Sequence, residues 1–364
     1  RSHARLTYDT VAAIVADRNP QLRAEYAQLT PHLDGLYALY QAMRVSREQR
    51  GAMDFDTQET VIEYGADRKI ERILPTERND AHRLIEECMI AANVAAARFL
   101  QRQKMPGLYR IHEGPSEDRR NKLRAFLGEL GLGLSGGDKP TPKDYTRLLE
   151  QIRDRPDAHL IQTVMLRSLA QAVYSPANVG HFGLALDAYA HFTSPIRRYP
   201  DLQVHRAIRH ALNGGKPAEF PFTPVDLVGL GEHCSMTERR ADEAVRDAVE
   251  WLKCEFMLDK VGQTFDGIIT GVTGFGLFVE LRGVFVEGLI HVTSLRNDYY
   301  RFDPVGHRLQ GERSGQTYRL GDGVRVRVTR VDLDERKIDF EPVENEDSEA
   351  PRRRSRYPRR SRKE

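Results

Sequence analysis

Near residue 259 the apolar pattern of this chain changes period, and that change limits what it can fold into. Upstream, apolar side chains recur at helical spacing. Downstream, "GQTFDGIITGVTGFGLFVEL", "GVFVEGLIHVTSL" and "GDGVRVRVTRVDLDERKIDFE" alternate apolar and polar residues between glycines. Alternation places every second side chain on one face of a strand, so these short glycine-bounded runs predict a small five-stranded antiparallel barrel over residues 259–343. The helical spacing predicts a largely helical domain over 1–258, with extended pieces such as 51–74. The expected fold class is therefore α+β, helices first and barrel second. A chain of 364 residues is long enough for two or three domains, each with its own core.

The clearest helix is "DAHRLIEECMIAANVAAARFL", with Asp80 as its expected N-cap. Ala81, Leu84, Ile85, Cys88, Met89, Ala92, Ala95, Ala96 and Phe99 share a face that must pack in a core; Glu86, Glu87 and Asn93 lie off its centre, where exposure is expected. A second helix is expected from about Thr237 to Leu258, with Ala241, Ala244, Val245, Ala248, Val249, Leu252 and Phe256 on one face and i,i+4 charge pairs elsewhere. "GLGLSGGDKPTPKD" and "NGGKPAEFPFTP" read as loops, and the first lacks the GK[ST] of a phosphate cradle.

Three cysteines, Cys88, Cys234 and Cys254, show no CxxC spacing, which points to a reducing, cytoplasmic compartment and away from structural zinc. No run approaches the ~18 apolar residues of a membrane span. The chain opens with Arg1 in what reads as the inside of a domain, so a fragment is expected. Net charge is only +2, but "EPVENEDSEA" is acidic and "PRRRSRYPRRSRKE" is arginine-rich, so residues 344–364 read as a disordered tail whose guanidinium groups suit polyanions.

Two stretches carry chemistry. In the barrel, Phe275, Phe278 and His291 accompany Arg325, Arg327 and Arg330, and aromatics beside cations serve single-stranded nucleic acid through base stacking and phosphate neutralisation. Core and turn packing is the competing reading of the two phenylalanines. In "YAHFTSPIRRYPDLQVHRAI", Thr193 or Ser194 caps a helix beginning at Pro195, and Pro200 either kinks it or starts a second one. Arg197 and Arg198 then stand near the positive end of a helix dipole, which is unfavourable by about 0.3–1 kcal/mol unless an anion joins them. Internal pairing is the competing reading: Asp201, at i+4 and i+3, could neutralise one of them but hardly both along with Arg206, and exposed amides, arginines and helix dipole together describe a phosphate site.

The barrel blocks resemble the S1 RNA-binding domain, an OB-fold. "HFTSPIRRYPDLQVHRAI" resembles the signature of the RNase II / RNase R family of exoribonucleases. "IERILPTERNDAHRLIEECMIAANVAAARFL", "LYRIHEGPS", "GHFGLAL" and "SMTERRADEAVRDAVEWLKCEFML" resemble the catalytic domain of the same family, and the basic tail favours its RNase R branch. The resemblance implies processive 3′-to-5′ hydrolysis of single-stranded and structured RNA to nucleoside 5′-monophosphates, with Mg2+. It implies a phosphate contact for Arg197, a ribose contact for Glu86 or Glu87, and a channel lined by Arg198, Tyr199, His205, Arg206 and Arg110 or His112, with Glu243 at its end. It places Phe275, Phe278, His291 and Arg325 on the RNA face of the barrel.

One departure is large. The family's metal-binding aspartate cluster is missing, and Asp54 and Asp56 of "MDFDTQE" fall where the family has an ordinary strand. Metal ligands are therefore expected upstream of Arg1, and this chain alone is expected to bind RNA as a monomer and to cut it poorly or not at all. The alternatives are a non-catalytic RNA-binding chain acting on RNA, ribosomes or RNA-decay factors, or an enzyme whose other half is a separate chain.

Overall fold

A computed structural model describes residues 2–55, 60–66, 68–295 and 298–343. The tail from 344 onward, Asp56 and the end of the MDFDTQE stretch lie outside the described residues. The chain forms two compact units, one of Arg1–Glu63 with Ile73–Val249, the other of Tyr64–Arg72 with the chain from Glu250 onward.

The first unit is mostly helical: α1 (Tyr8–Val15), α2 (Pro20–Glu25), α3 (Thr30–Arg50), α4 (Asp80–Arg102), α5 (Glu117–Glu129), α6 (Pro142–Ile152), α7 (Ala158–Ser168) and α8 (Tyr199–Leu212). A hairpin of β1 (Thr60–Tyr64) and β2 (Ile70–Pro75) precedes α4, and β3 (Tyr109–Ile111) pairs antiparallel with β4 (Val173–Ser175). The helix α9 (Pro224–Met257) runs into the chain that leads to the barrel.

α4 begins one residue earlier than expected. Asn79 is the cap, its side-chain oxygen accepting from the amides of Ala81 and His82. The two glycine-rich stretches are loops, and the first ends in a capping box in which Asp144 accepts from the Thr141 amide and hydroxyl at 2.7 Å. One core joins α4 to α8 through small residues, Ala96, Ala97 and Ala207, closed by Leu100, Tyr109, Val204 and Phe220. Small side chains let the elements approach closely; a Cβ on Gly107 would lie 2.8 Å from Leu100.

Two packing expectations fail. Ile85 and Met89 are exposed at 40% and 41%, whereas Glu87 and Asn93 are buried, so the buried stripe of α4 runs Ala81, Leu84, Glu87, Ile90, Asn93, Ala96, Ala97, Leu100. Neighbours supply polar partners to that stripe, as described below. Ala241, Ala244, Val245 and Ala248 of α9 are exposed: no described residue covers that face.

In the second unit, β5 (Thr264–Thr273), β6 (Gly276–Leu281), β7 (Glu287–His291), β11 (Gly323–Asp332) and β12 (Lys337–Pro342) close a barrel in the order β11-β12-β7-β6-β5. Four of its pairings are antiparallel and the β12–β7 closure is parallel. Between β7 and β11 lies a three-stranded antiparallel sheet of β8 (Tyr300–Asp303), β9 (Arg308–Gly311) and β10 (Thr317–Arg319). The fold is thus α+β: helical domain, then five-stranded OB-type barrel.

Candidate nucleic-acid interface

The chain at residues 189–192, which leads into the arginine turn, is tied to both β3 and α4. The Arg110 amide donates to the Tyr189 carbonyl at 2.9 Å, and the Phe192 amide donates to Asn93 Oδ1 at 2.9 Å. Asn93 Nδ2 in turn donates to the Tyr189 hydroxyl at 2.9 Å, so one buried amide of α4 fixes the segment at two points. Residues 195–197 form a turn rather than the expected helix from Pro195, and the helix begins at Tyr199 with Pro200 in its first turn, so of the two roles read for Pro200 the start of a helix is the one found. Proline there gives up no hydrogen bond, because first-turn amides have no helical partner.

Asp201, fully buried, decides between the arginines. Its Oδ1 accepts from the Ser194 amide and from Arg198 Nη2, both at 2.8 Å. Arg198 is thereby committed to holding the turn. Arg197 is exposed, and among the described residues its side chain has no ion pair or hydrogen bond. Arg198 Nε and Asp201 Oδ2 are buried without a hydrogen-bond partner, so this corner has polar capacity to spare.

Behind the turn runs a row of rings. His112 and His181 lie 4.9 Å apart, His181 and Tyr189 5.3 Å, and Tyr189 and His191 5.7 Å; the Tyr174 hydroxyl meets His191 Nδ1 at 2.8 Å. Burial, reinforced by Arg110, His112 and the nearby arginines, pushes His181 down to about 3 and His191 down to about 2, so both rings are neutral at physiological pH. Burial raises Tyr174 to about 12. The Arg110 guanidinium sits 4.6 Å over the Tyr174 ring and donates to Glu238 Oε2 at 2.6 Å. Tyr189 is raised by burial; the Asn93 hydrogen bond, Arg198 and Arg110 oppose that, and Glu86 adds to it. Glu86, Arg110 and Arg198 therefore act on one point.

The two glutamates divide. Glu87 is buried and accepts from Arg47 of α3 at 2.7 Å, which makes it a helix–helix clamp. Glu86 is more open, with its side chain 33% exposed, pairs with Arg78 at 2.5 Å and stands 3.8 Å from Arg47. His112 is buried, and both its nitrogens meet backbone: Nε2 lies 2.8 Å from the Ala170 carbonyl, and Nδ1 accepts from the Gly183 amide at 2.9 Å. That leaves no ring nitrogen for RNA, and the backbone here is held as well, by a parallel bridge to His181. A cleft of about 820 Å³ does open beside His112, but Arg119 in its wall is committed to the Leu169 carbonyl at 2.6 Å.

His205 stacks on Phe192 at 4.1 Å and donates from Nε2 to its carbonyl at 2.8 Å, bracing the segment from below. Tyr199 and Arg206 are exposed together, the guanidinium 3.3 Å from the Tyr199 hydroxyl. Glu243 lies on the exposed stretch of α9 with no recorded partner among the described residues. Glu238, which sequence reasoning missed, is the α9 carboxylate that reaches Arg110. Its only sequence signal was a place in "TERRADE" among several charges.

On the barrel, strand register sorts the aromatics from the cations. Phe275 is 50% exposed and meets Phe278 edge-on at 6.0 Å. Phe278 pairs with Leu289, Leu289 with Asp339, and Asp339 with Arg330, while Gly276 pairs with His291. Phe278, His291 and Arg330 are thus near one row of the outer face. Arg325 is opposite Asp266, toward the other end of β11, so the register does not bring it to the phenylalanines.

Among the described residues no three His, Cys, Asp or Glu side chains converge to hold a metal ion. Asp54 is exposed in an irregular stretch. The described residues therefore do not fit a magnesium centre. No helix among them is long and apolar enough to cross a membrane.

The structure is thus a helical domain with an exposed arginine, without an ion pair among the described residues, just before a helix, followed by a five-stranded barrel with Phe275 half exposed. Residues 1–214 match the RNB domain, and residues 258–341 match the S1 RNA binding domain. The chain belongs to the RNB-domain family. It is 55% identical over 359 residues to the Ribonuclease R of Escherichia coli, covering 96% of this chain and 44% of that protein. It is 53% identical to the Ribonuclease R of Vibrio cholerae over 94% of this chain and 43% of that one. The chain thus spans less than half the length of these relatives. Its fold superimposes with a TM-score of 0.84 on Mycoplasma genitalium RNase R in complex with ribose methylated single-stranded RNA, at 25% identity over 93% of this chain and 53% of that one.

Proposed function

We propose that this chain is the RNA-holding part of a 3′-to-5′ exoribonuclease that processively degrades single-stranded and structured RNA to nucleoside 5′-monophosphates. The observation that carries it is Arg197, exposed and without an ion pair or side-chain hydrogen bond among the described residues, beside an Arg198 neutralised by buried Asp201. A guanidinium without a carboxylate at the positive end of a helix is a phosphate contact. Glu86, rather than buried Glu87, faces the ribose hydroxyls, supported by its openness and its influence on Tyr189. Arg110, Tyr199 and Arg206 line the strand's path, and Phe275, Phe278 and His291 stack or contact bases on the barrel; Arg330 is nearer to them in register but pairs with Asp332 at 2.5 Å, whereas Arg325, exposed and without an ion pair among the described residues, is left to neutralise phosphate.

The functional division falls at about residue 258, before the S1 barrel. Ligands for Mg2+ lie outside the described residues. Chain-level RNA binding without efficient cleavage follows. A purely RNA-binding role on ribosomes or with decay factors is the competing outcome. Three free cysteines, two of them buried, fit a cytoplasmic protein, and a monomer is proposed.

The test is a salt titration of single-stranded RNA affinity for the chain and for Arg197→Gln. Loss of one phosphate contact lowers the slope of log K against log salt by about 0.7. An unchanged slope and affinity would remove Arg197 from the interface.

A further inference from the structure

The far end of α8 carries a second cationic cluster, of which the sequence motif marked only Arg206. Arg206, Arg209, His210 and Asn213 project from α8 toward Phe220 and Phe222 of the following loop, around a pocket of about 290 Å³. Arg209 is exposed and has no ion pair or side-chain hydrogen bond among the described residues, and the only recorded polar partner of Arg206 is the Tyr199 hydroxyl. Two like charges three apart on a helix repel, so an anion between them is favoured. The nearby carboxylates are already engaged: Glu219 accepts from the Lys216 amide at 3.0 Å, and Asp226 accepts from the Thr223 amide and hydroxyl at 2.8 and 2.7 Å.

The opposite wall is aromatic and braced. Phe220 is buried in the α4–α8 core and packs on Phe222 at 5.8 Å and on His210 at 5.5 Å. The His210 ring donates from Nε2 to the Lys216 carbonyl at 2.9 Å, and Gly215 leaves it room that a Cβ would fill. Tyr199 and Arg206 lie seven residues, about 10 Å of helix rise, apart on one face of α8, so the pocket follows along the helix whose start lies just after Arg197.

We propose that this pocket is an anchoring subsite for one nucleotide of an RNA strand, its phosphate between Arg206 and Arg209 and its base against Phe222. The inference rests on the RNA-binding reading above and extends it to a second contact. Nucleoside phosphate chemistry is shared by an RNA strand and a free mononucleotide; the continuity with Arg197 favours the strand.

The experiment is fluorescence anisotropy of the 364-residue chain with a labelled single-stranded oligoadenylate, alongside calorimetric titration with adenosine 5′-monophosphate. The variants are Arg209→Gln, Phe222→Leu and Arg197→Gln, each checked by its melting temperature. Arg209→Gln is expected to bind the oligonucleotide about threefold more weakly with a salt slope lower by about 0.7, and Phe222→Leu about tenfold more weakly with the slope unchanged. Parental affinity in both, while Arg197→Gln weakens binding, overturns the subsite and leaves the broader reading intact. Loss of mononucleotide binding with oligonucleotide affinity unchanged overturns it in favour of a free-nucleotide site. An oligonucleotide that does not bind the parent chain overturns both.

Discussion

Arg197 and Arg198 are adjacent and chemically identical, yet the fold separates their roles through Asp201. With the helix starting at Tyr199, Asp201 sits in its first turn and reaches back to the Ser194 amide and to Arg198. The sequence shows the charges and spacings but not the helix start, so the choice between i+3 and i+4 pairing was closed to it. Asp201→Ala leaves Arg198 half-buried and unpaired and is expected to destabilise the chain by about 3 kcal/mol in denaturant unfolding. Arg197→Ala, an exposed change, is expected to stay within about 0.5 kcal/mol of the parent while weakening RNA binding. Equal stability losses in the two variants would contradict this division.

The elements differ in how legible they were. Barrel strands follow from alternation alone, because period two and glycine breaks need no knowledge of partners. The type of α4 was legible but not its buried face: Glu87 and Asn93 are inside because Arg47, Tyr189 and the Phe192 amide satisfy them, and no apolar count contains that information. The sequence also could not show that part of α9 lacks a cover among the described residues. Gly276 is a sharper case, since a Cβ there would collide with the Ile290 carbonyl of β7. Gly276→Ala is expected to cost about 1–3 kcal/mol and to displace His291 across from it, read as a lower barrel melting temperature and shifted amide resonances in β6 and β7. A variant melting like the parent would show that the β6–β7 approach is looser than this.

At the scale of the molecule, the row of neutral imidazoles makes stability depend on acid. His181 and His191 sit far below their ordinary 6.5 in the fold, so below about pH 6.5 the unfolded chain binds protons that the folded chain refuses. Stability is fully present above that pH and falls as pH drops toward about 3, by at most about 1.4 kcal/mol per pH unit for each histidine. The Asp144 carboxylate, lowered to about 2 by Ser135 and Thr141, adds its loss only as pH falls from about 4 to about 2. The midpoint of urea unfolding should therefore decline from pH 6.5 to 4.5, and a flat midpoint would mean that these rings are not held neutral.

The order of a helical RNB domain and an S1 barrel was legible because motifs and period agree; the fate of the metal was not, since a ligand set is a convergence in space. The central claim is that these residues hold RNA without a metal centre of their own. Its most direct test is a gel assay of the chain with 5′-labelled single-stranded RNA and Mg2+, scoring shift and shortening together. The account predicts a shifted band of undiminished length. Stepwise shortening abolished by EDTA, or no shift at all, would contradict it.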